Sequence, residues 1–103
     1  MMIRGSRGAS DIADERLRQI EDERYDALHD DAHDGGELAE VAAELALEHT
    51  VAGYRLRSGA PHIPDQWGLA RKHPDTRRRL VIAGALIAAE IDRLDRITQR
   101  GGC

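Results

Sequence analysis

The sequence predicts an all-α domain of three helices. Apolar residues recur at helical spacing in three separate stretches, and clusters of Gly and Pro divide them. The two-residue alternation of a half-buried strand occurs nowhere. A chain of 103 residues makes one small domain and leaves no room for a separate cofactor domain. Leu, Ile and Val number 10, 8 and 3, and Phe is absent, so the core is thin. Fifteen alanines keep the chain foldable, because Ala packs closely between helices.

Residues 1–10 are rich in Gly, Ser and Arg and read as a frayed tail. Ser10 is a candidate N-cap, with Asp11 and Asp14 favoured by the dipole in the first turn. Ala13, Leu17 and Ile20 then mark the inner face of helix one, about Asp11 to Tyr25. Arg24 falls where that stripe should continue, so the helix ends there. The segment DALHDDAHDGG reads as a polar loop closed by Gly35 and Gly36.

Helix two spans roughly Gly36 to Tyr54. Leu38, Val41, Ala42, Leu45, His49 and Ala52 fall within an arc of about 100° on its surface. A long Pro/Gly-rich linker follows from Arg55 to Pro74, with a short turn near Asp65–Ala70 and Trp67 as its one large anchor. Helix three starts at Asp75 or Thr76, just after Pro74, and runs to about Gln99. Gly101 and Gly102 stop it, so 11–99 forms the domain and 100–103 a flexible end. Its stretch LVIAGALIAAEI is apolar nearly all round, which predicts burial on most sides. The predicted core is Leu17, Ile20, Leu38, Val41, Leu45, Leu80, Ile87, Ile91 and Leu94. Two short helices cannot cover so wide a girdle, so a homo-oligomer is expected.

Fifteen basic against nineteen acidic residues give a net charge of −4, which argues against a nucleic-acid coat. The single cysteine, Cys103, excludes a disulfide within the chain. The first residues lack the apolar segment of a secretory signal, and the run from Leu80 to Ala89 is too short to span a bilayer. A soluble, intracellular protein without membrane contact is expected.

Three blocks, Glu15–Ile20 (E-R-L-R-Q-I), His29–Leu38 (H-D-D-A-H-D-G-G-E-L) and Arg78–Leu94, carry a resemblance. In this order they resemble a family of small proteins encoded by phages and prophages. Its pattern is E-R-x-R-Q-I, E-G-W, H-D-D-x-H-x-x-G-E-L and R-R-x-L-V-x-A-G-A-L-I-x-A-E-I-x-R-L. This chain has Glu23-Arg24-Tyr25 where the family has E-G-W, and its linker is poorer in Trp. The resemblance implies a phage accessory role in the cytoplasm of an infected host cell, and no particular chemistry.

Several residues stand out chemically. His29 and His33 lie one helical turn apart with acids between them, a loose relative of the H-E-x-x-H zinc motif. With Glu37 they form a candidate metal set; Asp30, Asp31 and Asp34 would equally suit a hard cation, and a purely structural capping loop is the plain alternative. Glu90 interrupts an apolar run and needs a partner, either Arg93 at i+3 or a histidine across the core. Glu37, Glu40, Glu44 and Glu48 form an acidic stripe. Glu37 and Glu40 share the E-x-x-E spacing of all-α nucleotide pyrophosphatases, but the second acidic pair is missing, so a solvated face is the simpler reading.

Arg71, Lys72, His73, Arg77, Arg78 and Arg79 surround the start of helix three, where free N–H groups attract anions. Trp67 either covers the core or stacks on a base. These features lead to a non-enzymatic binding protein with no cofactor and no catalytic residue. Arg77, Arg78 or Arg79 would hold the phosphate of a small nucleotide signal of host defence. Trp67 would stack, and Asp30, Asp31 or His33 would accept sugar hydroxyls. Glu90 would meet His33 in the same pocket. The alternatives are a protein that blocks a host factor with the acidic face of helix two, and a metal-dependent hydrolase built from the His/Asp loop and Glu90.

Overall fold

The computed structural model describes residues 6–48, 50 and 64–101. Among these the chain is helical and contains no strand. Among the described residues five helices occur: α1 (Arg7–Asp22), α2 (Ala27–Asp31), α3 (Glu37–Leu47), α4 (Leu69–Lys72) and α5 (Thr76–Gly101). The all-α class stands, and the three expected helices are α1, α3 and α5. The two additional ones are single turns that sequence periodicity cannot register. His49, Ala52, the last turns expected of helix two, the linker up to residue 63 with His62, and Cys103 lie outside the described residues.

Helix α1 begins four residues before the expected start. Ser6, not Ser10, is the cap, and its hydroxyl accepts from the Ala9 N–H at 3.1 Å. Arg24 ends the helix in the left-handed region with φ 59°. That reversal lets the Tyr25 N–H donate back to the Gln19 carbonyl at 2.8 Å. Asp26 then caps α2 through the His29 N–H at 3.0 Å, so the expected polar loop contains a helix. Gly36, at φ 88°, turns the chain into α3, whose first turn carries Glu37 and Glu40 at the positive end of its dipole. The Asp65 carboxylate accepts from the Ala70 and Arg71 amides of α4. Asp75 caps α5 through the Arg78 N–H at 2.8 Å, and Pro74 precedes it as the sequence predicts.

Helix α5 is the central element, packed against both α3 and α1. Leu38, Val41, Ala42 and Leu45 of α3 meet Ile82, Ala83, Leu86 and Ala89 of α5, with Ala70 of α4 closing one end. Tyr25, Trp67 and Leu69 lie against this cluster. Full burial of each large side chain, such as Leu38 or Leu86, stabilises by about 1.5–3 kcal/mol.

Leu38, Val41 and Leu45 are buried as predicted, but six predicted core residues are not. Leu17 (55 % exposed), Ile20, Leu80, Ile87, Ile91 and Leu94 all face outward. On α5 the face that packs on α3 is Ile82, Ala83, Leu86 and Ala89; for Leu17 and Ile20 the cause is the side that α1 turns toward α5. Instead of the Leu17/Ile20 stripe, it buries Glu15 and Gln19 and sets Ile12 against Gly84. Charge selects this face, because Asp11 and Glu15 meet Arg77 and Arg78 at 2.7 and 2.6 Å. Among the described residues, no helix is long and apolar enough to cross a membrane.

Candidate functional site

The turn at Arg24 and the short α2 gather four rings at one end of the core. Tyr25 stacks flat on His29, with centroids 4.3 Å apart and planes within 6°. His33 lies 4.6 Å from His29, and Trp67, arriving from before α4, stands edge-on to His33 at 5.1 Å and to Tyr25 at 5.9 Å. Beneath them Asp30 is fully buried. Its carboxylate accepts from Arg16 and from His29 Nδ1, at 2.9 and 2.8 Å. Arg16 also donates to the Tyr25 carbonyl at 2.9 Å, which ties the loop to α1. A buried carboxylate is tolerated here because both of its oxygens are engaged by donors.

Next to this cluster is a cavity of about 150 Å³ between the end of α1 and α4. Tyr25, Trp67, Gln19, Arg18, Lys72 and His73 contribute to its wall. Gln19 is 1 % exposed. Its amide Nε2 donates to Glu15 at 3.2 Å, and this fixes the carboxamide orientation, since a carboxylate only accepts. The other end, Oε1, is buried without a donor. An unmet acceptor costs about 1–3 kcal/mol when left dry, so this atom calls for an N–H or O–H from whatever fills the cavity.

The charges around the cavity are ordered. Glu15 receives Arg18 in a bidentate pair at 2.9 and 3.0 Å, together with Arg78. Burial pushes its carboxyl upward, but the hydrogen bonds and charges of Arg18 and Arg78 outweigh this and hold it below the usual range. Burial, reinforced by the positive charges of Arg78, Lys72 and Arg18, lowers the His73 imidazole and favours its neutral form. Burial raises the Tyr25 phenol, helped by Glu23. The wall thus sets two carboxylates, Glu15 and Glu23, against Arg18 and Lys72; Glu23 pairs with Arg18 at 3.1 Å, which leaves Lys72 as the cation facing a ligand.

The expected phosphate cradle does not form. Arg77 is taken by Asp11, Arg78 by Glu15, and Arg79 by the His73 and Ala70 carbonyls at 2.7 and 2.8 Å. An open groove of about 330 Å³ beside Arg77 and Arg78 has four carboxylates and three guanidiniums in its wall, so it carries no excess positive charge. The physical reason is α1, whose acids supply the counter-charges that a ligand would otherwise have brought.

The shared pocket of His33 and Glu90 does not form either. Glu90 takes a bidentate pair from Arg93 at 2.8 and 2.9 Å, while His33 Nδ1 faces the His29 carbonyl at 3.0 Å. The Arg93 hydrogen bond holds Glu90 below the usual carboxylate range against the opposing effect of burial. The nearer partner, three residues along the same helix, satisfies Glu90 first.

Asp31 is separated from Asp30 in role. It binds Arg96 and Arg100 at 2.8 and 3.2 Å and fastens α2 to the end of α5. Glu37 does not join the two histidines; its carboxylate folds over Gly35, leaving no room for a Cβ there. Among the described residues no three His, Cys, Asp or Glu side chains converge on a metal position.

The structure thus brings His29, Asp30, His33 and Trp67 together and leaves Asp31, Glu90 and Arg77–Arg79 in structural ion pairs or carbonyl contacts. Glu15, Arg16, Arg18 and Gln19 were not singled out as site residues. All four lie in the E-R-L-R-Q-I block, whose interrupted apolar pattern was the available signal. Comparisons with protein families, curated proteins and solved structures find no match.

Proposed function

We propose that this chain is a phage accessory protein that acts by binding. Its ligand is a small phosphorylated compound with a planar ring, of the nucleotide type, taken up inside the infected host cell. The observation that carries this reading is the buried, donor-less Oε1 of Gln19 beside a cavity walled by Tyr25 and Trp67. A nucleobase supplies both what the atom lacks, an amino or imino N–H, and a flat face for the rings. About 150 Å³ suits a ring and not a whole nucleotide, so the phosphate sits at the mouth beside Lys72. The phage assignment rests on the three resembling sequence blocks.

Self-association belongs to the same reading. Leu80, Ile87, Ile91 and Leu94 recur at steps of seven, four and three along α5 and are each about 40–50 % exposed. That spacing is a coiled-coil seam, which a second copy can match.

Trp67 is the sole tryptophan, so its fluorescence reports the site directly. Titration with AMP, adenosine and inorganic phosphate separates ring from phosphate. AMP should quench most tightly, Lys72→Ala should weaken AMP but not adenosine, and Gln19→Met should weaken both. No response to AMP or adenosine up to millimolar concentration refutes the proposal.

A further inference from the structure

We infer that His29 and His33 form a two-histidine site for a tetragonal divalent transition-metal ion such as Ni²⁺ or Cu²⁺, whatever the neighbouring cavity binds. The argument begins with tautomers. A carboxylate and a carbonyl oxygen are acceptors only. The nitrogen that faces each of them must therefore carry hydrogen: Nδ1 of His29 against Asp30 at 2.8 Å, and Nδ1 of His33 against the His29 carbonyl at 3.0 Å. In the neutral ring the lone pair is then left on Nε2 in both residues. This is the arrangement in which a metal-binding histidine is normally held, with its second nitrogen anchored by a carboxylate or a backbone carbonyl. Asp30 is itself fixed by Arg16, so the anchor is rigid.

Ring spacing supplies an independent observation. A metal about 2.0–2.1 Å from an imidazole nitrogen stands about 3.2 Å from the ring centre. Two rings at right angles around one ion then have centres about 4.5 Å apart, and tetrahedral ligation widens this to about 5.2 Å. The observed separation is 4.6 Å, with the planes tilted by 45°. That distance lets one ion reach both rings, and imidazole ligands completed by water suit Cu²⁺ and Ni²⁺. Tyr25 covers one face of His29, and Trp67 stands edge-on to it at 6.1 Å. With no third protein ligand at hand among the described residues, water completes the coordination, so binding is reversible and the ion exchanges.

The test uses the full chain without an affinity tag and with Cys103→Ser, titrated with Ni²⁺ while Trp67 fluorescence is followed. Trp67 lies 5.1 Å from His33, within reach of quenching by a paramagnetic ion. One equivalent of Ni²⁺ per chain should quench it. His29→Gln and His33→Gln should each raise the dissociation constant at least tenfold, and Asp30→Asn about tenfold through the lost anchor. His73→Gln should leave it unchanged. On the unsubstituted histidines, ring ¹⁵N NMR with diamagnetic Zn²⁺ should show coordination at Nε2 of both residues, a readout independent of how well any variant folds. No quenching below millimolar Ni²⁺, loss confined to only one of the two histidines, dependence on His73, or Zn²⁺ shifts at Nδ1 overturns the inference.

Discussion

Gly84 lies in the middle of α5, where alanine should be the better helix former by about 1 kcal/mol. The close approach of α1 reverses that expectation. A Cβ on Gly84 would come within 2.6 Å of Ile12 Cδ1, 2.9 Å of Cγ1 and 3.3 Å of Cγ2. The first contact involves a flexible tip, but the second does not. Ile12 must therefore change rotamer or α1 must move outward, and overpacking of this kind costs about 1–3 kcal/mol. Gly84→Ala should destabilise the protein by about 1 kcal/mol net of its helical gain. In an Ile12→Ala background the obstacle is gone and the same substitution should stabilise by about 1 kcal/mol. The coupling between the two sites is then about 2 kcal/mol. Urea unfolding followed by circular dichroism, with all four proteins at one concentration, measures the cycle. If Gly84→Ala stabilises the parent by its full helical gain, Ile12 does not rest on Gly84 and the α1–α5 packing described above is wrong.

Neighbouring positions on α5 should respond very differently. Leu86→Ala should cost about 2–5 kcal/mol by opening a cavity, whereas Ile87→Ala should cost far less; under the proposed self-association it should also lower the oligomeric state seen by sedimentation. Glu15, held low by Arg18 and Arg78, contributes stability that is fully present above the unfolded carboxyl value of about 4.3 and is lost as pH falls through the lower folded value. Glu15→Gln should flatten the acid limb of melting temperature against pH in that window. Arg24→Gly should stabilise by about 1 kcal/mol by removing the left-handed penalty of a side chain; a loss of stability refutes it.

Helices α3 and α5 were legible because Leu38, Val41 and Leu45, and the start after Pro74, follow directly from periodicity and breakers. The inner face of α1 was not. Leu17 and Ile20 form the better apolar stripe, but Asp11 and Glu15 find arginines 66 and 63 residues away, and no local pattern encodes such a pairing. For the same reason the sequence could nominate His29, Asp30, His33 and Trp67 yet mismatch their partners. Glu90 took Arg93, the first of its two candidate partners, and not His33; Arg77 and Arg78 were neutralised from α1, and Arg79 meets Glu48 and the His73 and Ala70 carbonyls. Gln19 escaped notice because a glutamine in a charged helix looks like surface until its burial is seen.

Helix α2 has only five residues, too few to persist on its own hydrogen bonds. Its place is secured by Arg16 gripping Asp30 and by Arg96 and Arg100 gripping Asp31 across 65 and 69 residues of chain. The pair at Asp30 is buried, but those at Asp31 are partly open to solvent and weaken as ionic strength shortens the reach of charge. The amides of this segment should therefore exchange through a local opening before those around Leu86, which wait for global unfolding. Salt acts on the first process far more than on the second. Because His29 and His33 flank the buried Asp30–Arg16 pair, added salt should loosen the Asp31 end of the segment before it disturbs the rings, which amide exchange at low and high ionic strength would show.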